Sequence, residues 1–427
     1  MNMDHPSRDT RSTRTLSRRR WLRPVILVAI GVLAVAGGTW WRATLARHAE
    51  VATLQVQEPG FAELGQRDDQ IRVWHIALAA DTGSALVLGQ LAALHMQRAR
   101  EGGGWEDYLA AESYARHSLS RRINRNGASA VTLVNALLAQ HRFKEARDVA
   151  VVLVRREWDI PEYRALMGEV AMEVGDDALA DAMFRSVWEQ RTQLSMAPRV
   201  ARWLELTNHI REARQLLQIA SDEALNRRNV ASETKAWFLL RVGDLELRAG
   251  NLRRAEKAYR DGLRIEQGDP RLFAAMARLA MVHGKPRDAI AWGERAIGLQ
   301  LDPATLGLVG DAYAAVGNRA RADDYFKTLE VAVATEPGAY HRAWSLYLLD
   351  HGLRVDEVLA KATTELQDRR DVYGYDLMAW ALHKNGRHQE AAVMMQRALR
   401  FDTPDPLLIR HAQAIGASIA PPRVAAR

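Results

Sequence analysis

The chain has 427 residues, 48% of them hydrophobic and 26% charged, the composition of a folded protein with room for two or three ordinary domains. It contains no cysteine, which excludes disulfides, thiolate catalysis and every zinc site built on cysteine, and is compatible with an oxidising compartment. The formal charge of +7 is confined to one end, because residues 48–427 sum to zero, so no excess of basic charge on the folded body points to nucleic acid.

Residues 1–23 form a basic tail, with seven arginines against Asp4 and Asp9. Eighteen uncharged residues follow, Pro24 to Trp41. As a helix they would span roughly 27 Å, the thickness of a hydrocarbon core. Trp21 lies at one edge and Trp40 and Trp41 at the other, the placement of interfacial rings. The expectation is a single-pass bacterial inner-membrane anchor over 24–41, N-terminus cytoplasmic and the body periplasmic. A rival reading takes Ser17–Arg23 as a twin-arginine export signal cut near Ala34-Val35-Ala36, which would release a soluble periplasmic protein. That site lies inside the apolar run rather than after it, and cutting there would waste the Trp40-Trp41 pair, so the interfacial aromatics favour the retained anchor.

Residues 42–83 read as a linker around Pro59-Gly60 followed by an accessory helix near Asp69–Ala80. From 84 to 405 one pattern recurs: a small residue, then seven positions on a turn residue, then five further an Ala. It reads Val134-His141-Ala146, Gly168-Gly175-Ala180, Ala201-Asn208-Ala213 and Gly243-Gly250-Ala255. It continues as Ala277-Gly284-Ala289, Gly310-Gly317-Ala322 and Ala379-Gly386-Ala391, with Ala111 as the matching Ala of a first copy. Between these landmarks apolar residues fall at i, i+3, i+4 and i+7, as in Leu272, Ala275, Met276 and Leu279, which predicts paired amphipathic helices. The turn residue permits a left-handed helix end, and Pro161, Pro270 and Pro303 mark first helical positions. A hairpin of this kind cannot bury its own apolar face, so the units must stack. Residues 406–427 read as a capping helix and a flexible tail.

The recurrence in phase of small, turn, Ala and aromatic residues (Gly310, Tyr313, Gly317, Ala322 and Phe326; Gly168, Gly175, Ala180 and Phe184) resembles the tetratricopeptide repeat family. The resemblance covers 84–405 and implies an all-α, right-handed superhelical solenoid of about nine hairpins. Three departures stand out: a 42-residue step from Ala213 to Ala255, an extra residue between Gly352 and Val358, and the Glu101-Gly-Gly-Gly104 run. The short basic tail, one span and exported array together resemble bacterial membrane-anchored members. That resemblance carries no role with it; stacked hairpins form an extended concave surface, so the expectation is a non-enzymatic scaffold or assembly factor that binds a peptide or protein client, with no cofactor.

Residues that follow the small position of each first helix would face the concave groove: Asn135, Glu169, Arg202, Asp244, Arg278, Asp311 and Trp380. From Glu169 to Asp311 they alternate in sign. Two readings stand: a ladder of ion pairs bracing neighbouring repeats, or a groove for an extended peptide of mixed charge. In the second, Tyr373, Trp380 and His383 would form an aromatic wall. Tyr373, Asp376, Trp380, His383 and Lys384 share one helix face. Trp188 and Trp237 are expected in the core. No phosphate-binding loop, dinucleotide fingerprint, HExxH or GxSxG motif occurs. His383 and His388 are five apart, which puts them on different helix faces or across a turn and predicts no metal site, and Glu162, Glu169 and Glu173 read as a solvated acidic stripe. Too few residues flank the array for a separate catalytic domain, so an enzyme that uses the repeats as a platform is the remote alternative.

Overall fold

Small residues at fixed intervals decide how the helices pair. The computed structural model describes residues 61–335 and 341–417, and among these there are helices and no strands. An accessory helix, α1 (Phe61–Ala80), precedes nine hairpins. The first four are α2 (Ala85–Arg100) with α3 (Trp105–Arg121), α4 (Gly127–Ala139) with α5 (Phe143–Arg156), α6 (Pro161–Val174) with α7 (Asp177–Ser186), and α8 (Ala197–Leu206) with α9 (Ile210–Asn226). Next come α10 (Ser232–Arg248) with α11 (Leu252–Ile265), α12 (Pro270–Val282) with α13 (Pro286–Leu299), and α14 (Pro303–Ala315) with α15 (Arg319–Thr335). The last are α16 (His341–Asp350) with α17 (Val355–Asp368), and α18 (Val372–Lys384) with α19 (His388–Ala398), capped by α20 (Pro406–Ile415). The tetratricopeptide-type array is therefore realised, and the accessory helix starts eight residues earlier than the sequence pattern indicates.

Each hairpin is fixed by the landmarks that reveal it. His141, Gly175, Asn208, Gly250, Gly284, Gly317 and Gly386 all have positive φ, so every turn position ends its helix in the left-handed region. The Ala five residues on is buried in each case, where the two helices cross. The small residue in turn accommodates a large one sixteen positions later. A Cβ on Gly243 would lie 2.3 Å from Tyr259, one on Gly310 2.3 Å from Phe326, and one on Gly168 3.0 Å from Phe184. Where the first position is Val134, the sixteenth is Ala150, and both are fully buried. Volume is thus conserved across the crossing while the side that supplies it changes.

The departures have local explanations. The 42-residue step is absorbed by lengthening, since α9 and α10 each run 17 residues. The extra residue after Gly352 is taken up by a second left-handed residue, Arg354 at φ 45°. Trp237 packs against the core as expected. Trp188 does not: it sits on a short 3-10 turn, Trp188–Gln190, is 38% exposed, and has the Arg191 guanidinium 4.4 Å over its ring.

The array does not stay open. It curls back until hairpins eight and nine meet hairpins two to four. The Arg370 N–H donates to the Val174 carbonyl at the end of α6 (3.1 Å), and the Thr403 hydroxyl donates to the Leu206 carbonyl at the end of α8 (2.5 Å). Both acceptors are helix-terminal carbonyls that lack an intrahelical partner. Arg400 forms a bidentate pair with Asp177 at 2.6 and 2.9 Å, and Trp203 meets Phe401 edge to face at 5.7 Å. Val372 and Leu408 join Phe184, Trp203 and Leu206 in one apolar cluster. The repeat pattern carries no sign of this closure, which arises because these polar and aromatic partners are complementary across the two ends.

No described helix is long and apolar enough to cross a membrane. The basic tail 1–23, the span 24–41, the linker to residue 60 and the tail from 418 lie outside the described residues.

Candidate functional site

One polar cluster collects where α8 and α10 face the start of α18. Arg202, Glu205, Arg241, Asp244 and Arg248 project from consecutive first helices, and Tyr373 reaches them from across the seam. Arg202 donates to the Tyr373 hydroxyl at 2.7 Å and pairs with Glu205 at 3.0 Å, while its guanidinium lies 5.3 Å over the Tyr373 ring. Tyr373 donates in turn to Asp405 at 3.2 Å. Arg248 closes on Glu205 from α10, with one bond at 3.1 Å. Burial alone would raise the Glu205 pKa, but Arg202 and Arg248 override it and hold the carboxyl down at about 2. Burial also opposes the charge on Arg202, yet Tyr373 and Glu205 outweigh it and raise its pKa.

The neighbouring rung is Asp244. It accepts from the Tyr259 hydroxyl at 2.8 Å and from Arg278 at 3.3 Å, with Arg241 at 3.9 Å. Burial pushes its pKa up, and Arg278, Arg248 and Arg241 together pull it below the usual range. Arg241 is lowered instead, first by burial and then by repulsion from Arg248.

The proposed one-per-repeat ladder therefore exists at a single step, Asp244 to Arg278. Glu169 pairs with Arg199 at 2.7 Å rather than with Arg202. Asp311 faces His351 at 3.4 Å, and burial and Asp350 raise its pKa. Asn135 stands half-buried on α4.

The C-terminal face is not an open aromatic wall. Asp376 has no exposed surface and Trp380 is only 8% exposed. Asp376 accepts from Arg342 (2.6 Å) and meets His411 Nδ1 at 2.7 Å. Trp380 is stacked between His411 at 4.3 Å and His383 at 5.2 Å, donates to Asp350 at 2.8 Å, and carries the Lys384 ammonium 4.7 Å over its ring. Asp376 and Trp380 are covered by α20 and α16 and serve packing, whereas Tyr373, His383 and Lys384 on the same helix stay part-exposed. The sequence pattern of α18 alone cannot show that cover.

The seam holds one group the sequence pattern assigned to solvent. Glu173 ends α6 beside Asp371 and Arg369, the latter 4.0 Å away. Burial, then repulsion from Asp371, raises its pKa to about 7, although Arg369 opposes the shift. Below it a cleft of about 530 Å³ separates the turn after α4 from α17, lined among others by His141, Phe143, Lys144, Lys361 and Glu365.

A second Asp–His contact, Asp107 to His95 Nδ1 at 2.8 Å, lies near the N-terminal end. Its histidine and His411 are both buried, and each Nε2 atom lacks a hydrogen-bond partner. Buried at 7% and 1% exposure, neither imidazole is accessible to a substrate. His383 and His388 approach through their Nδ1 atoms at 3.2 Å, but among the described residues no three His, Asp or Glu side chains converge to hold a metal ion.

No protein-family model and no curated protein sequence matches the chain. Among solved structures, PilW, described as a widely conserved type IV pilus biogenesis factor, aligns with a TM-score of 0.41 and 16% identity, covering 51% of this chain and 97% of that one. A tetratricopeptide repeat protein from Parabacteroides merdae gives 0.40 and 17%, covering 57% and 92%. A human IFIT1 dimer with PPP-AAAA gives 0.46 and 13%, covering 83% and 94%.

Proposed function

We propose that this chain is a non-enzymatic interaction scaffold that receives a peptide or protein client on the inner face of its helical array. The observation that carries the reading is the row of charged side chains supplied by successive first helices, of which Asp244, Arg278 and Asp311 keep part of their surface accessible while being held by neighbours. Fixed, partly exposed charges on stacked hairpins present a preorganised polar surface, which lowers the ordering cost of binding. In this reading the array winds as a right-handed superhelix. Residues 24–41 anchor it in a bacterial inner membrane with the N-terminus cytoplasmic and the array periplasmic, which raises the local concentration of a membrane-bound client.

The test is photo-crosslinking in intact membranes from positions Arg278 and Asp311, with a probe at Arg253 on the far side of the hairpin as control. Adducts specific to the inner positions and lost on charge reversal at Asp244 support the reading. Equal labelling from the control position overturns it. N-terminal sequencing of the native protein decides between anchor and released form: a start at Met1 in a detergent-extracted protein supports the anchor, and a start near Gly37 supports signal cleavage.

A further inference from the structure

The fourth and fifth hairpins carry a second groove, on the side of α9 and α11 and away from the Arg202 cluster. It runs between these two helices over a floor supplied by α10 and has a volume of about 640 Å³. Leu239 and Ala258 are buried at its base, Val242 is half-buried, and Ile219 stands 44% exposed on one wall. A large aliphatic residue at that exposure, next to an apolar floor, is what an incoming side chain would cover.

The rim is basic. Arg211 and Arg254 stand exposed on opposite walls, Arg254 with 67% of its side chain free. The two acids in the groove are already held within the fold. Glu246 is buried and accepts from Arg214 at 2.5 and 3.1 Å and from Asn251 at 2.7 Å. Asp261 pairs with Lys257 at 2.6 Å and with Arg264. Arg254 lies 3.8 Å from Glu246, whose carboxylate already accepts from Arg214 and Asn251, and its side chain stays largely exposed.

An apolar floor between two cationic rims matches one chemistry: an amphipathic helix with aliphatic residues at i, i+3 or i+4, and i+7 and acidic residues on both flanks. The chain's own termini do not fit. Residues 1–23 carry a net +5, and residues 418–427 contain Arg423 and Arg427 with no acid. We propose that this groove docks an acidic amphipathic helix of a separate partner protein, at a site distinct from the inner face and independent of it.

The test uses the full chain and a fluorescein-labelled peptide of roughly 16 residues with leucines at helical spacing and glutamates on both flanks, compared with the same peptide bearing lysine in place of glutamate. The expected result is saturable binding of the glutamate peptide alone, weakening as salt rises. Arg211→Glu with Arg254→Glu should reduce affinity about tenfold, and Ile219→Asp should do so too, since both alter exposed positions and leave the core intact. Hydrogen-exchange protection should appear at 211–219 and 254–261. Absence of saturable binding, equal binding of both peptides, or binding that survives both variants would overturn the proposal. So would a concentration-dependent dimer dissolved by Ile219→Asp, which would make the groove a contact between copies.

Discussion

Arg202 grips the Tyr373 hydroxyl at 2.7 Å across 171 residues of sequence, and this contact joins the fourth hairpin to the ninth. The donor is an ionised guanidinium, so the bond is charge-assisted, and the same Arg pairs with Glu205 in a partly desolvated cluster. Tyr373→Phe keeps the ring and removes the bond. It should weaken the seam by about 1 kcal/mol. The local readout is hydrogen exchange at the Arg370 amide, whose acceptor is the Val174 carbonyl. Faster exchange there, with α12 to α14 unchanged, is the expected pattern; an unchanged Arg370 amide would show that closure does not depend on this pair.

Acidity should tighten the same seam. The Glu173 pKa is raised to about 7, so between the ordinary carboxylate range and pH 7 the folded state holds a proton that the unfolded state releases. That stabilisation is fully present below the unfolded pKa and fades as pH rises through 7. Glu205 acts in the opposite sense and lower down: its pKa of about 2 contributes stability at neutral pH that is lost as pH falls below the ordinary range. The groups facing Glu173 are Asp371, Arg369, Arg202 and Glu169. Glu173→Gln should abolish the pH 5.5 to 8 difference in Arg370 amide exchange. Retention of the full difference in that variant would assign it to another group.

The pairing of small and large residues across each hairpin gives a compensating test. Gly310→Ala places a methyl 2.3 Å from Phe326 and should cost about 1–3 kcal/mol by overpacking. Adding Phe326→Leu should return part of that loss, because the methyl then has room. Ala255→Trp and Ala322→Trp, at buried crossings with no such relief, should cost at least as much. Denaturation midpoints check all four, and a fully additive double mutant would refute the volume exchange.

Trp380→Ala separates packing from binding. With Trp380 enclosed by His411 and His383 and bonded to Asp350, its loss should cost about 3–5 kcal/mol and lower the melting temperature markedly. An unchanged melting temperature would mean the ring serves a surface role instead.

The hairpins were legible because each rests on short-range relations: turn residue to Ala in five positions, small to large residue in sixteen. Those relations are periodic, and periodicity survives in a single sequence. The seam was not legible, because Arg202 with Tyr373 and Arg400 with Asp177 (223 residues apart) follow no period and depend on the accumulated curvature of intervening hairpins. The inner-face row was half legible. Asp244 and Arg278 pair as their spacing implies, whereas Glu169 turns to Arg199 because a nearer cation stands on the same helix as Arg202. Asp376 and Trp380 were misplaced for one reason: α18 is not an outer helix, since α20 and α16 cover these two residues on the face that its own sequence leaves open.

Two turn glycines with nearly equal backbones isolate the energetic value of closure. Gly175 has φ 78° and Gly317 has φ 83°, so an alanine at either suffers the same left-handed strain, about 1–2 kcal/mol. Their surroundings differ. A Cβ at Gly317 meets nothing within 4 Å, whereas one at Gly175 would lie 2.3 Å from the Arg370 carbonyl group, at the seam. Backbone cannot rotate aside as a side chain can, so Gly175→Ala must displace residues 370–371 and stretch the bond from the Arg370 N–H to the Val174 carbonyl. Gly175→Ala should therefore destabilise more than Gly317→Ala by about 1–3 kcal/mol. The excess should vanish when Arg400→Ala and Tyr373→Phe have already released the seam. Measured by denaturation midpoints, an equal cost for the two glycines in the parent chain would show that the array is open in solution.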